Sequence, residues 1–195
     1  MGRTRAVIGL SAVGLGVVAL IIVLVAAGGP SPRRASGPFA WLRPGPPPAG
    51  WHVARIADGA GLAYPPGWRA IKTDPGTASV ALLGHGGQID GYLNVTPKQG
   101  AETLADWSRF RPRKNREEGA RNVRLLAARS DAQFRSAHGS CVIDSYSTSL
   151  TTYREIACLI SGAGSSNVVV AAAPARLWQE RSAALEQAVS SFRSA

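Results

Sequence analysis

Residues 140–161 read SCVIDSYSTSLTTYREIACLIS. Two runs rich in β-branched and aromatic residues, SCVIDSYST (140–148) and YREIACLIS (153–161), flank the small polar stretch STSLTT (147–152). That composition reads as two strands joined by a tight turn. Cys141 and Cys158 lie almost symmetrically about the turn, so the two strands can bring them face to face. Two readings follow. The pair is a disulfide if the domain stands in an oxidising compartment, or two inert core thiols if it does not. A bridge enclosing about 16 residues would add ~3 kcal/mol in the chain-entropy account. Its role would be structural, because no CxxC spacing is present and nothing adjacent in sequence lowers a thiol pKa.

Working outward, NVRLLAARSDAQF (122–134) precedes this hairpin and NVVVAAA (167–173) follows it; both read as further strands. Pro174 suits a first helical turn. After it, Trp178, Ser182, Leu185, Val189 and Phe192 recur at helical spacing and define one buried face. Upstream, residues 51–57, 61–65, 68–72, 78–83 and 89–96 read as shorter strands. Pro65-Pro66-Gly67 forms a turn, and GHGGQ (84–88) a Gly-rich hairpin loop. Between the two groups of strands, Thr103 and Asp106 have the spacing of a capping box. Leu104, Trp107 and Phe110 supply a buried helical stripe. Pro112 is expected to kink or end that helix, with a short continuation through Glu118 and a stop at Gly119. Strands, helix, strands, helix, with short connections between consecutive strands, predict an α+β domain: an antiparallel sheet flanked by helices.

The segment YPPGWRAI (64–71) resembles the P-x-G-W opening of PsbP-like domains. The strand-rich middle, the helix around Trp107, the YREIACLI strand (153–160) and the closing helix from Pro174 to Phe192 resemble them as well. The likeness spans residues 52–193. It implies an α/β/α sandwich built on an antiparallel sheet, of the kind found in actinobacterial envelope proteins, and a non-enzymatic accessory or binding role. No functional residue carries over, because no shared site motif is visible. The chain departs from the lipoprotein members in having no Cys before Cys141.

Residues 6–27, AVIGLSAVGLGVVALIIVLVAA, form 22 positions without a charge. A helix of that length covers the ~30 Å hydrocarbon core of a bilayer. An uncleaved transmembrane anchor is expected, with residues 1–5 as a cytoplasmic tail. A cleaved signal peptide is the competing reading, since Val25-Ala26-Ala27 resembles a small-residue cleavage site. Arg3 and Arg5 precede the run and Arg33 and Arg34 follow it, so both flanks carry the positive charge that marks the cytoplasmic side. The short N-terminal flank favours the orientation that exports the rest. The expected localisation is the plasma membrane, single-pass, with the C-terminal domain (51–195) extracytoplasmic. Residues 28–50 hold seven of the 13 prolines and read as an extended linker. Phe39, Trp41 and Leu42 interrupt it, either docking on the domain, dipping into the membrane interface, or standing as a chance apolar trio.

Net charge is +10, with 22 Lys and Arg against 12 Asp and Glu. Removing RFRPRKNR (109–116) leaves the rest of the domain balanced, so the basic character is local. Arg109, Arg111, Arg113, Lys114 and Arg116 form the candidate surface for an anionic partner. A solvated helix face partly neutralised by Glu117 and Glu118 is the plainer reading. Outside the cytoplasm, nucleic acid is not an expected partner. Anionic lipid headgroups, an acidic envelope polymer or an envelope protein are. His52, His85 and His138 lack metal-ligand spacing. No GxSxG elbow, P-loop or GxGxxG appears. The expectation is a membrane-anchored binding or accessory module without catalytic residues, cofactor or metal. An envelope hydrolase, with a pocket lined by Trp51, Tyr64 and Trp68, is the alternative.

Overall fold

The computed structural model describes residues 36–195. The expected tail, the anchor over 6–27 and the first part of the linker lie outside the described residues. Among the described residues, no helix is long and apolar enough to cross a membrane.

Strands β1 (His52–Arg55) and β2 (Gly61–Tyr64) form a two-stranded hairpin. Strands β3 (Arg69–Ile71), β4 (Ala78–Leu83), β5 (Ile89–Pro97), β6 (Arg121–Phe134), β7 (Ala137–Ser147), β8 (Thr152–Gly162) and β9 (Ser166–Pro174) form an antiparallel sheet in the order β3-β4-β5-β9-β8-β7-β6. Helix α1 (Trp107–Glu117) connects β5 to β6, and helix α2 (Trp178–Ser190) follows β9.

The central strands are buried on both faces, which is why they read as unbroken apolar runs rather than as alternating ones. Along β8, Ile156, Cys158 and Ile160 face a large core shared with Leu185, Val189 and Phe192 of the C-terminal segment. Ala157 and Leu159 face a smaller core closed by Trp107. The indole N–H of Trp107 donates to the Ala157 carbonyl at 2.9 Å, and its ring stacks on Phe110 at 5.8 Å. Phe134 meets Phe192 edge-on. The result is the expected three-layer arrangement, with α1 on one face of the sheet and α2 on the other.

The PPGW turn has a defined job. Gly67 takes φ +84°, and the outer edge of the Trp68 ring comes up against Gly91, where a Cβ would come within 2.5 Å of the indole. That close approach needs a residue without a side chain.

One feature differs from the sequence expectation. Helix α1 runs through Pro112 instead of ending there. The proline forfeits one helical hydrogen bond, but contacts to the sheet on both sides of it, from Trp107 and from Asn115, hold the helix together. The helix also begins at Trp107. The Thr103–Asp106 spacing forms a turn ahead of it, with the Asp106 amide donating to Thr103 Oγ1 at 3.2 Å.

For the apolar trio of the linker, the docked reading holds. Residues 36–50 lie on the folded domain. Phe39 and Leu42 are buried in the α2-side core. The amides of Arg43 and Gly45 donate to Ser190 Oγ and to the Ser190 carbonyl, at 3.4 and 3.3 Å. Ser190 is the last residue of α2, whose terminal carbonyls have no intrahelical partner. The Pro-rich segment thus caps the helix end while its apolar residues fill the core.

Candidate functional site

The sheet register sets Asp144 on β7 directly opposite Glu155 on β8. Both side chains face α1, and both are fully buried. From the helix, Trp107, Arg111 and Asn115 recur at every fourth position, so all three point at the sheet. Arg111 grips Glu155 with both arms of its fork: Nε to Oε1 at 2.7 Å and Nη2 to Oε2 at 2.9 Å. Tyr146 donates its hydroxyl to Glu155 Oε2 at 3.3 Å. Asn115 donates to Asp144 Oδ2 at 3.1 Å, while Asp144 Oδ1 is buried without a partner.

Two buried carboxylates therefore share one guanidinium. Burial, and then the Glu155 charge, push the Asp144 carboxyl up to about 7, against the pull of Arg111 and the Asn115 amide. Burial works against the charge of Arg111, but Glu155 outweighs it and keeps the guanidinium firmly protonated. Burial and the Glu155 charge hold the Tyr146 phenol well above its usual range.

The sign of the Asp144 effect follows. The folded domain holds a proton that the unfolded chain releases near pH 4. Its contribution to stability is complete below about pH 4 and is lost progressively as the pH rises to about 7. Asp144→Asn is expected to abolish this slope. Thermal midpoints measured at pH 5 and pH 8 check it: the variant gains on the native chain at pH 8. A difference between the two chains that is the same at both pH values would show that Asp144 does not titrate as described.

Beside this cluster, α1 and the β5, β8 and β9 strands enclose a cleft of about 610 Å³. Tyr92, Asn94, Phe110, Lys114, Tyr146 and Val170 are among its walls, and Arg111 with Glu155 forms part of its floor. A second cleft of about 520 Å³ lies at the C-terminal end of α1, bounded by Arg111, Asn115, Gly119, Arg121 and Thr148.

The expected anionic-partner residues are not equivalent. Arg111 points inward to Glu155. Arg109 pairs with Asp106, Arg113 with Glu117 at 3.5 Å, and Lys114 with Glu118 at 3.6 Å. Arg116 donates to the Val123 carbonyl at 3.3 Å. The continuous helix keeps the segment on the sheet, so it does not project at Pro112. Exposed pairs of this kind contribute little to stability. Cys141 and Cys158 form a disulfide between directly paired residues of β7 and β8. His52, His85 and His138 are exposed, and no group of three His, Cys, Asp or Glu among the described residues could hold a metal ion.

No family model matches the chain, and no curated protein does. Among solved structures, the chain is similar to cyanobacterial PsbP from Synechocystis sp. PCC 6803, with a TM-score of 0.57 over 76% of this chain and 94% of that one. The domain has the PsbP fold. At 17% identity, the likeness to that protein is one of fold. LpqN of Mycobacterium tuberculosis, described as involved in cell envelope biogenesis, aligns at 14% identity over 73% of this chain and 88% of its own, with a TM-score of 0.41. PA94 of Pseudomonas aeruginosa, a protein of unknown function, aligns at 11% identity over 74% and 97%, with a TM-score of 0.44. Neither of these two bears on the fold. Within the PsbP fold of this chain, the Arg111–Glu155 pair joins α1 to the sheet at the floor of the larger cleft.

Proposed function

We propose that this chain is a membrane-anchored, extracytoplasmic binding or accessory module without catalytic activity, recognising an envelope protein or an acidic envelope component. One observation carries the reading. Of the ionisable groups that line the larger cleft, the three set deepest against the sheet are bound to one another: Arg111 and Tyr146 both engage Glu155, while Glu102, Lys114, Glu117 and Glu118 stand around them. A general acid or base needs a proton within reach of a substrate, and the three deepest groups are committed to holding α1 on the sheet. What the cleft offers an occupant is aromatic, amide and aliphatic surface from Phe110, Asn94 and Val170, with Lys114 and the carboxylates of Glu102, Glu117 and Glu118 also in its walls.

The hydrolase alternative called for a pocket walled by Trp51, Tyr64 and Trp68. Trp68 is instead buried in the α2-side core, and Trp51 and Tyr64 pack against it. This arrangement favours the binding reading.

Two measurements test it in the full chain. A reporter that works only outside the cytoplasm, fused after Ala195, is expected to be active. Photo-crosslinking from position 114, on the cleft edge, is expected to give a discrete envelope adduct, and the same group at position 53, on β1, is expected to give none. A silent reporter, or identical adducts from both positions, would sink the proposal. Arg111 is left untouched in these variants because it is part of the core.

A further inference from the structure

Several cations of the domain have no carboxylate within 4.0 Å among the described residues, Arg55, Arg69 and Arg135 among them, and three lie together where α1 ends and β6 begins. Arg121 and Arg124 on β6 have no acidic partner within 4.0 Å among the described residues, and Arg116 reaches only a backbone carbonyl beside them. β6 is an outer strand of the sheet, paired on one side with β7. Leu125 and Leu126 on this strand are 45% and 48% exposed. Leu150, at the tip of the β7–β8 hairpin, is 88% exposed. That tip adjoins the start of β6, because Arg121 pairs with Ser147 and shares a cleft with Thr148.

Arginines alone would blunt an outer strand against unwanted pairing, and so would the register shifts of β6. Neither explains three exposed leucines beside them. Unpaired cations next to exposed aliphatic groups match a surface that is anionic at its headgroups and oily just beneath.

The path of the chain supplies the second argument. Ser36, where the described structure begins, shares a cleft with Ala128 and Arg129 of β6. Because residues 36–50 are docked, only residues 28–35 separate the uncharged run 6–27 from this point. Eight residues reach at most about 30 Å. A domain of this size has a radius of gyration of ~15 Å, so its full width exceeds that tether.

We propose that the β6 edge and the β7–β8 hairpin tip are a bilayer-contact surface, in which Arg116, Arg121 and Arg124 meet anionic phospholipid headgroups and Leu125, Leu126 and Leu150 enter the interface. This rests on the anchored reading of the N-terminal run and adds a defined orientation of the domain on its own membrane.

The test uses the full chain in nanodiscs of phosphatidylcholine, with and without phosphatidylglycerol. A polarity-sensitive fluorophore is placed at Leu150→Cys or Leu126→Cys, with Val53→Cys as the control; the native cysteines are in the disulfide and do not label. With phosphatidylglycerol, emission from 150 and 126 is expected to shift to the blue and to be quenched by spin-labelled lipid, while 53 stays water-like. The shift is expected to vanish in about 1 M salt, where the Debye length is ~3 Å, and in the Arg121→Glu/Arg124→Glu variant. Water-like emission at 150 and 126 in anionic discs would overturn the proposal, and so would a shift unchanged by the charge reversal. Alkaline carbonate extraction of native membranes separates this failure from failure of the anchor. A chain that stays in the membrane but shows no contact loses the surface alone, whereas a chain released by carbonate loses both.

Discussion

Arg111→Ala is expected to destabilise the domain by about 3–5 kcal/mol, the range for leaving one member of a buried ion pair without its partner. Glu155 is fully buried, and Arg111 supplies two of its hydrogen bonds. Without the guanidinium, two carboxylates would face each other across β7 and β8 with only Tyr146 and Asn115 beside them. For a domain of this size the loss corresponds to a fall of about 6–20 °C in the thermal midpoint. Arg113→Ala, two positions along the same helix, is the internal control. Its partner Glu117 is exposed, and the change is expected to stay within about 0.5 kcal/mol. The double variant Arg111→Met/Glu155→Leu is expected to recover most of the lost stability, because replacing both charges removes the desolvation cost together with the attraction. Equal effects of Arg111→Ala and Arg113→Ala in a thermal melt would show that α1 is not held on the sheet by this pair.

Opening the Cys141–Cys158 bridge is expected to cost about 2–5 kcal/mol. The two residues are paired in register and separated by 17 positions, and both are fully buried. The bridge shortens the loop available to the unfolded chain, which the chain-entropy account values at ~3 kcal/mol. Cys141→Ala/Cys158→Ala also removes two sulfur atoms from the core facing α2. Melts of the native chain with and without dithiothreitol, beside the alanine variant, separate the two contributions. Dithiothreitol is expected to lower the native midpoint and to leave the variant unchanged. A native midpoint indifferent to dithiothreitol, with both thiols shown to be free by labelling, would contradict a stabilising bridge.

The same mirror relation in sequence lies behind both predictions. About the turn at 147–152, Cys141 reflects onto Cys158 and Asp144 onto Glu155. The cysteines are noticed because sulfur chemistry invites pairing. The acids pass unnoticed, although each interrupts an apolar strand, and that interruption is the sign that they face something polar inside. The partner is the hidden part. Arg111 stands among four other basic residues at 109–116, and composition gives all five the same weight. Only the rotation of α1 on the sheet separates the one that points inward from the four on its outer faces.

The amino-acid sequence by itself determined the order of strands and helices, because hydrophobic spacing and turn residues are local properties of the chain. It also set the hairpin register that joins the cysteines, since a short turn leaves two strands little freedom to slide. The tertiary structure decided the fate of residues 36–50 and of Pro112. Whether Phe39 and Leu42 find a core to enter, and whether a helix survives a missing hydrogen bond, depends on surfaces contributed by residues far away in sequence. It also decided which cations are free, because an arginine is neutralised by whatever carboxylate folding brings within 4 Å, and no local pattern records that distance.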